Sequence, residues 1–294
     1  MKTYFIPQIL ILLALVTCNT KENEPDAYGN FEAREIIVSA EAGGKIIWLT
    51  AEEGTKITEG VTVGAIDTIA LHLKRVQTIR QKNAIATKLP SVDANIGVLN
   101  AQLKTLETEH RRIKKLVANE AAPIQKLDDI QGKLSVLKSR IKLTQVQKES
   151  IYAELKTIDA QINIIQQNIS NCYISNPIEG TVLEIYTRNK ELVAPGKSIY
   201  KIADLNNMDL KAYVSGKQLA SIKIGQNVKV FIDSDSNIPI EYEGSITWIS
   251  DKAEFTPKII QTKEERVNLV YAIKISVKND GNIKIGMPAE VKFE

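Results

Sequence analysis

The sequence is poor in aromatic residues, cysteine and histidine, and each shortage excludes a class of protein. Of 294 residues, 5% are aromatic, two are cysteine and two are histidine. So few aromatic side chains suit strands and long helices better than one large globular core. The cysteines and histidines lie far apart in the sequence, which argues against a structural zinc site. We therefore expect no bound metal.

Catalytic motifs are also missing from the sequence. It contains no glycine-rich phosphate loop, no Gly-X-Ser-X-Gly turn and no cluster of histidine with carboxylates. The adjacent acidic pairs at 128–129 and 264–265 would face different ways on a helix or strand, so they are interpreted as solvated charges. These absences predict a protein that is not an enzyme and has no cofactor.

An excess of charge of one sign is absent as well. The 38 basic and 35 acidic residues leave a formal net charge of +3. This balance gives no reason to expect nucleic acid as a partner. After the first 18 residues, no apolar run is long enough to cross a membrane.

The N-terminus carries the one extended apolar run. Lys2 is followed by residues 4–16, which are apolar apart from Gln8. About 13 residues are too few to span the hydrocarbon core of a bilayer comfortably, so residues 1–17 are predicted to be a signal peptide that is cleaved.

Residues 15–18, Leu-Val-Thr-Cys, resemble a bacterial lipobox. The resemblance implies that Cys18 becomes the lipidated first residue of the mature protein, with residues 18–31 as lipid anchor and polar tether. The expected location is the periplasm of the bacterial cell envelope, anchored by lipid to the inner membrane. The alternative is a plain secretory signal in which Cys18 is incidental.

An internal repeat with a constant offset of 136 residues is the most informative pattern. Both copies have alternating apolar residues and glycine-containing turns, which are typical of small β-hairpins. Neither copy could bury a core alone, so residues 32–70 and 174–205 are predicted to form one split β-sandwich. The matching positions are Gly44, Ile46, Leu49, Ile57, Gly60, Val63 and Ile66 in the first copy, and Gly180, Val182, Ile185, Val193, Gly196, Ile199 and Ile202 in the second.

Residues 71–173, between the two copies, have helical periodicity. Apolar residues recur at alternating spacings of four and three on both sides of a short break at residues 119–123, which predicts an antiparallel coiled-coil hairpin. Pro123 suits the start of the return helix. That helix, of about 46 residues, would be ~70 Å long. Pro90 lies within the outgoing arm and is expected to kink or break it.

The C-terminal third, residues 206–294, contains five strand-like segments and is predicted to form a small β-barrel. The predicted fold class is therefore mainly β with a long α-helical coiled-coil hairpin, in an elongated molecule.

The order of these modules resembles the membrane fusion proteins, or periplasmic adaptors, of the HlyD-like type. Residues 175–182, Ser-Asn-Pro-Ile-Glu-Gly-Thr-Val, are similar to that family's entry into its second half-motif, and residues 286–291 to its closing barrel strand. Residues 255–258, 261–266 and 269–271 resemble the barrel of adaptors that work with ABC-type exporters.

The resemblance implies a split lipoyl-like domain, also called a barrel-sandwich hybrid, and an adaptor role in a tripartite efflux or secretion system. The implied partners are an inner-membrane exporter of ABC type, a TolC-like outer-membrane channel, and further copies of the chain in a ring. It also implies that the membrane-proximal domain of many such adaptors is missing or reduced.

The resemblance assigns a channel-docking site to the tip of the hairpin. Channel-docking adaptors carry Arg, then Leu four residues later, then Ser seven residues beyond. This sequence has Arg112, Leu116 and, in the third position, Pro123. The alternative is that Leu116 merely flanks the predicted interface residue Val117 and that Arg112 is solvated.

Two other functions fit part of the sequence. A lipid-anchored coiled-coil scaffold would explain the hairpin but not the duplicated sandwich. A biotinyl or lipoyl carrier would explain the sandwich, but it needs a lysine in a tight turn between the two halves. Here the long helical segment takes the place of that turn.

Overall fold

The computed structural model describes residues 25–233, 239–255 and 269–293. They form two compact units, one made of residues 36–202 and the other of the described residues up to Glu35 and from Ala203 onward. Within the described residues, no helix is long and apolar enough to cross a membrane.

The described residues contain fourteen strands and four helices. They are β1 (Ala27–Glu32), β2 (Glu35–Ser39), β3 (Gly44–Leu49), β4 (Lys56–Ile57), β5 (Thr62–Ile66), α1 (Ile69–Ala86), α2 (Lys88–Ala118), α3 (Ile124–Ser170), β6 (Tyr173–Ser175), β7 (Gly180–Ile185), β8 (Leu192–Val193), β9 (Ser198–Ala203), β10 (Asn207–Ser215), α4 (Gly216–Leu219), β11 (Asn227–Ile232), β12 (Ile240–Phe255), β13 (Leu269–Lys278) and β14 (Pro288–Phe293).

Two four-stranded sheets contain the repeated sequences, in the orders β2-β9-β7-β4 and β6-β5-β3-β8. Each sheet takes strands from both copies of the repeat, so neither copy is a separate domain. The matching residues Ile46 and Val182 are 0% and 1% exposed, and Ile66 and Ile202 are 1% and 0% exposed. All four belong to a single apolar cluster. The prediction that they occupy buried positions in one shared core is confirmed.

The hairpin is built from α1, α2 and α3. Its predicted interface is confirmed, because buried and half-buried side chains recur along both arms at the expected spacing. They form two apolar clusters, one around Ile85, Val92, Ile151 and Ile158 and one around Ile113, Ile130 and Leu134.

The outgoing arm is interrupted at Thr87, as expected from Pro90. Helix α1 ends at Ala86 and α2 begins at Lys88. The proline ring would clash with the carbonyl group four residues earlier, which belongs to Ala86, and Pro90 has no N–H to donate. A single regular helix therefore cannot pass through this point.

The polar residues of the hairpin interface have local partners. Lys148 Nζ lies 2.6 Å from Asp93 Oδ1 on the opposite arm, and this hydrogen bond raises the pKa of the lysine. The Thr144 hydroxyl donates to the carbonyl oxygen of Arg140 at 3.0 Å. These contacts allow polar groups to remain in an otherwise apolar interface.

Six strands form a closed barrel in the order β1-β10-β13-β12-β11-β14. Strand β1 pairs with β10 on one side and with β14 on the other. Residues 27–31 were assigned to the tether, and that prediction is wrong for them. Their alternate side chains Ala27 and Phe31 are buried in the barrel core, with Gly29 between them. A Cβ at Gly29 would lie 2.2 Å from the carbonyl oxygen of Lys211, so this close strand approach requires glycine.

Candidate partner-docking site

The tip of the hairpin is a compact turn that continues the hydrogen bonding of α2. The N–H of Glu120 donates to the carbonyl oxygen of Val117 at 3.0 Å, and the N–H of Ala121 donates to that of Leu116 at 2.9 Å. This pair of bonds is a Schellman cap, which satisfies carbonyl groups at the end of the helix. Pro123 then occupies the N-cap position of α3, in an extended conformation with φ −69° and ψ 144°.

Glu120 adopts the left-handed conformation of the cap, with φ 56°. Glycine is the usual residue in this position, and another residue there costs about 1 kcal/mol. The sequence therefore did not reveal this cap. Glu120 is exposed and lies at the apex of the turn.

The predicted docking residues lie at this tip. The Arg112 side chain is 71% exposed, and its Nη2 lies 3.6 Å from Glu109 Oε1. Leu116 follows one turn later and is 39% exposed. Because residues four apart share a helix face, Arg112 and Leu116 are neighbours on α2. Pro123 is exposed at the other end of the turn, where α3 begins. The role of these three residues in docking remains a prediction. Cys18, the predicted lipidation site, lies outside the described residues.

A basic hollow lies on the same stretch of α2, and Arg112 is part of its lining. Its volume is about 740 Å³. The guanidinium of Arg111 donates to the hydroxyl of Thr108 at 3.2 Å, which holds one cation at the wall. We call this surface the basic hollow; it is lined by Thr108, Arg111, Arg112, Lys114, Lys115 and Ala118.

Other reactive groups do not gather into a site. The described residues contain no group of three or more His, Cys, Asp or Glu side chains placed to hold a metal ion. Cys172 is a buried free thiol, and burial raises its pKa. The two copies of the repeat are linked by the helical hairpin, which is not the tight turn in which a carrier protein presents its lysine.

Comparisons with known proteins agree with this architecture. A family model described as LcnD-like, C-terminal domain, matches residues 204–288. The UPF0194 membrane protein in asrC 5'region of Acidithiobacillus ferridurans is 24% identical over 90% of this chain and 85% of its own.

Solved structures share the fold. MacA from Actinobacillus actinomycetemcomitans is 22% identical, with a TM-score of 0.56 over 90% of this chain and 76% of its own. The membrane fusion protein Spr0693 from Streptococcus pneumoniae R6 is 19% identical, with a TM-score of 0.52 over 91% of this chain and 97% of its own. The predicted resemblance to the membrane fusion proteins, or periplasmic adaptors, is confirmed at the level of the fold: this chain shares the architecture of these two structures, and its residues 204–288 match the LcnD-like C-terminal domain.

Proposed function

We propose that this protein is the periplasmic adaptor subunit of a tripartite efflux or secretion system, bridging an inner-membrane exporter and a TolC-like outer-membrane channel. The observation that carries the proposal is the long hairpin of α1, α2 and α3, which is inserted between the two halves of a duplicated β unit and ends in an exposed tip. A hairpin with two apolar clusters along its arms is suited to act as a rigid arm. The role is mechanical, and the exporter supplies the energy.

The two four-stranded sheets are proposed to be a split lipoyl-like domain, or barrel-sandwich hybrid. Support comes from the strand order, in which both sheets mix strands of the two copies around one apolar cluster. Several copies of the chain would form a ring in which these domains and the barrels line a conduit.

An ABC-type exporter is proposed as the inner-membrane partner. The support is the resemblance of residues 255–258, 261–266 and 269–271 to the barrel of adaptors that work with such exporters. Residues 256–268 lie outside the described part of the chain.

The channel is proposed to dock on Arg112, Leu116 and Pro123. An exposed guanidinium can donate two parallel hydrogen bonds to carbonyl or carboxylate oxygens at the mouth of a channel. Leu116, one turn further along α2, adds apolar contact area beside it. Pro123 has no hydroxyl, so its contribution is limited to shape and to starting α3.

Arg112→Asp combined with Leu116→Ser is expected to abolish export and crosslinking to the channel. Both side chains are exposed, so the helical content and the melting temperature should stay close to those of the unaltered protein. Export, crosslinking in cells and thermal melting of the purified protein are the measurements.

The matched control is Arg140→Asp combined with Leu143→Ser, which makes the same chemical changes at exposed positions further along α3. It should export normally. Normal export by the Arg112/Leu116 variant would contradict docking at the tip and would favour a lipid-anchored scaffold instead.

Cys18 is proposed to carry the lipid that holds the protein at the inner membrane. A single acyl chain gives marginal anchoring, so the several acyl chains of a bacterial lipoprotein are needed. Cys18→Ser is expected to release the protein into the soluble periplasmic fraction and to prevent labelling by radioactive palmitate. Cys172→Ser is the control and should leave both unchanged. Lipidation would be ruled out if the wild-type protein took up no palmitate and if the wild type and the Cys18→Ser variant remained at the membrane to the same extent.

A further inference from the structure

Four cations lie close together near the tip, at positions 111, 112, 114 and 115 of α2. Further along the arms, ion pairs join opposite helices: Lys82 Nζ lies 2.6 Å from Asp159 Oδ1, Lys148 Nζ lies 2.6 Å from Asp93 Oδ1, and Lys138 Nζ lies 3.9 Å from Glu107 Oε1. Among the described residues, Arg111, Lys114 and Lys115 form no ion pair. Positive charge is therefore concentrated where the hairpin ends.

This arrangement is unfavourable for the isolated helix. Lys114 and Lys115 follow Arg111 by three and four residues, so the three cations are neighbours on the helix surface and repel one another. A cation in the last turn of a helix interacts favourably with the helix dipole, but only Lys115 lies in that turn. Interaction with the helix dipole thus stabilises Lys115 but not Arg111 or Lys114.

We propose that the basic hollow binds acidic side chains of a partner protein. The inference rests on the proposed docking function and names the chemistry of the docking partner. Carboxylates entering the hollow would receive charge-assisted hydrogen bonds from Arg111 and Lys115 and would relieve the repulsion between them. Arg112 belongs to the lining of the hollow, and Leu116 follows it one turn later on the same helix, so the two surfaces overlap.

The position of the charges favours a protein over a membrane surface. The hollow runs from Thr108 to Ala118, which is about 15 Å along the side of α2. The apex, residues 119–123, has no cation and carries the Glu120 carboxylate. A lipid surface approached end-on would meet that negative apex first, whereas an acidic helix lying alongside α2 would meet the cations.

The test uses a fluorescein-labelled helical peptide with glutamates along one face, titrated with the purified protein and followed by fluorescence anisotropy. Arg111→Gln combined with Lys115→Gln should weaken binding about three- to tenfold, since each exposed ion pair contributes modestly. The melting temperature should be unchanged or higher because repulsion within α2 is removed. Binding by the unaltered protein should weaken as salt is added.

The control, Lys142→Gln combined with Lys156→Gln, removes the same charge from exposed positions on α3 and should bind the peptide like the unaltered protein. Equal weakening in both variants, or a lower melting temperature of the Arg111/Lys115 variant, would overturn the proposal. So would tighter binding to phosphatidylglycerol vesicles than to the peptide. Because the assay contains neither exporter nor channel, its outcome is independent of the export and crosslinking measurements.

Discussion

Ile46→Asp is expected to unfold the unit made of residues 36–202. The Ile46 side chain is fully buried, at 0% exposure, in the cluster shared by the two four-stranded sheets. The substitution removes a large apolar group and places a carboxylate where it has no partner, which should lower the free energy of unfolding by at least about 4 kcal/mol. Urea denaturation followed by circular dichroism measures this loss.

Val182→Asp should have a comparable effect, because Val182 occupies the matching position of the second copy and is 1% exposed. Ile47→Asp and Leu192→Asp are the controls, since these side chains are 52% and 81% exposed. Both should unfold almost like the unaltered protein. Unfolding curves of the Ile46 and Val182 variants that match the wild type would refute the shared core.

Asn176→Ala is expected to be the second most damaging substitution, at about 3–5 kcal/mol. The side-chain amide of Asn176 is 1% exposed. It donates to the carbonyl oxygens of Ile178 at 2.6 Å and Thr58 at 3.0 Å, and its oxygen accepts from the hydroxyl of Tyr200 at 3.0 Å. Alanine would leave the buried Tyr200 hydroxyl and the half-buried Ile178 carbonyl without these partners, so the variant should lose stability although no apolar contact is removed.

The burial of Tyr200 predicts a pH dependence of stability. Burial raises the pKa of Tyr200 from 10.0 to about 12. Because the folded state holds this proton more tightly than the unfolded state, the associated stability is present below pH ~10 and is lost as the pH rises to ~12, by about 2–3 kcal/mol.

Tyr200→Phe should remove this loss between pH ~10 and ~12. Tyr28→Phe, at a tyrosine that is 58% exposed, should keep it. A Tyr200→Phe variant with the wild-type pH profile would show that the hydroxyl does not titrate with folding. Asn176→Asp tests the hydrogen bonds of Asn176 separately, because the aspartate lacks the two amide N–H donors but has nearly the same size.

Local periodicity explains which parts of the fold the sequence predicted. The interface of the hairpin follows from apolar spacing within each arm, and its break follows from Pro90. Strand β1 was missed because it is short, contains Gly29 and pairs with β10 and β14, which are far away in the sequence. Such pairings leave no periodic signal. Asn176 was noticed through a family resemblance, but its physical role depends on Tyr200, 24 residues later.

The docking site was predicted in part for similar reasons. The positions of Arg112 and Leu116 on one helix face follow from their spacing of four residues. The run of cations at residues 111–115 was visible as well, but not the absence of acidic partners for three of them, which depends on how the two arms are aligned. The left-handed Glu120 could not be predicted, because glycine is the usual sign of such a cap.

Closure of the barrel depends on strands that lie far apart in the sequence. The unit that carries the hairpin is one continuous stretch, residues 36–202, whereas the barrel takes β1 from before it and its other five strands from after it. Strand β1 is made before that unit, yet its neighbours β10 and β14 come after it, and β14 ends only at Phe293. Contacts between such distant segments form slowly. Until β14 pairs with β1, the barrel stays open, and the unpaired N–H and C=O groups along that edge of β1 favour aggregation.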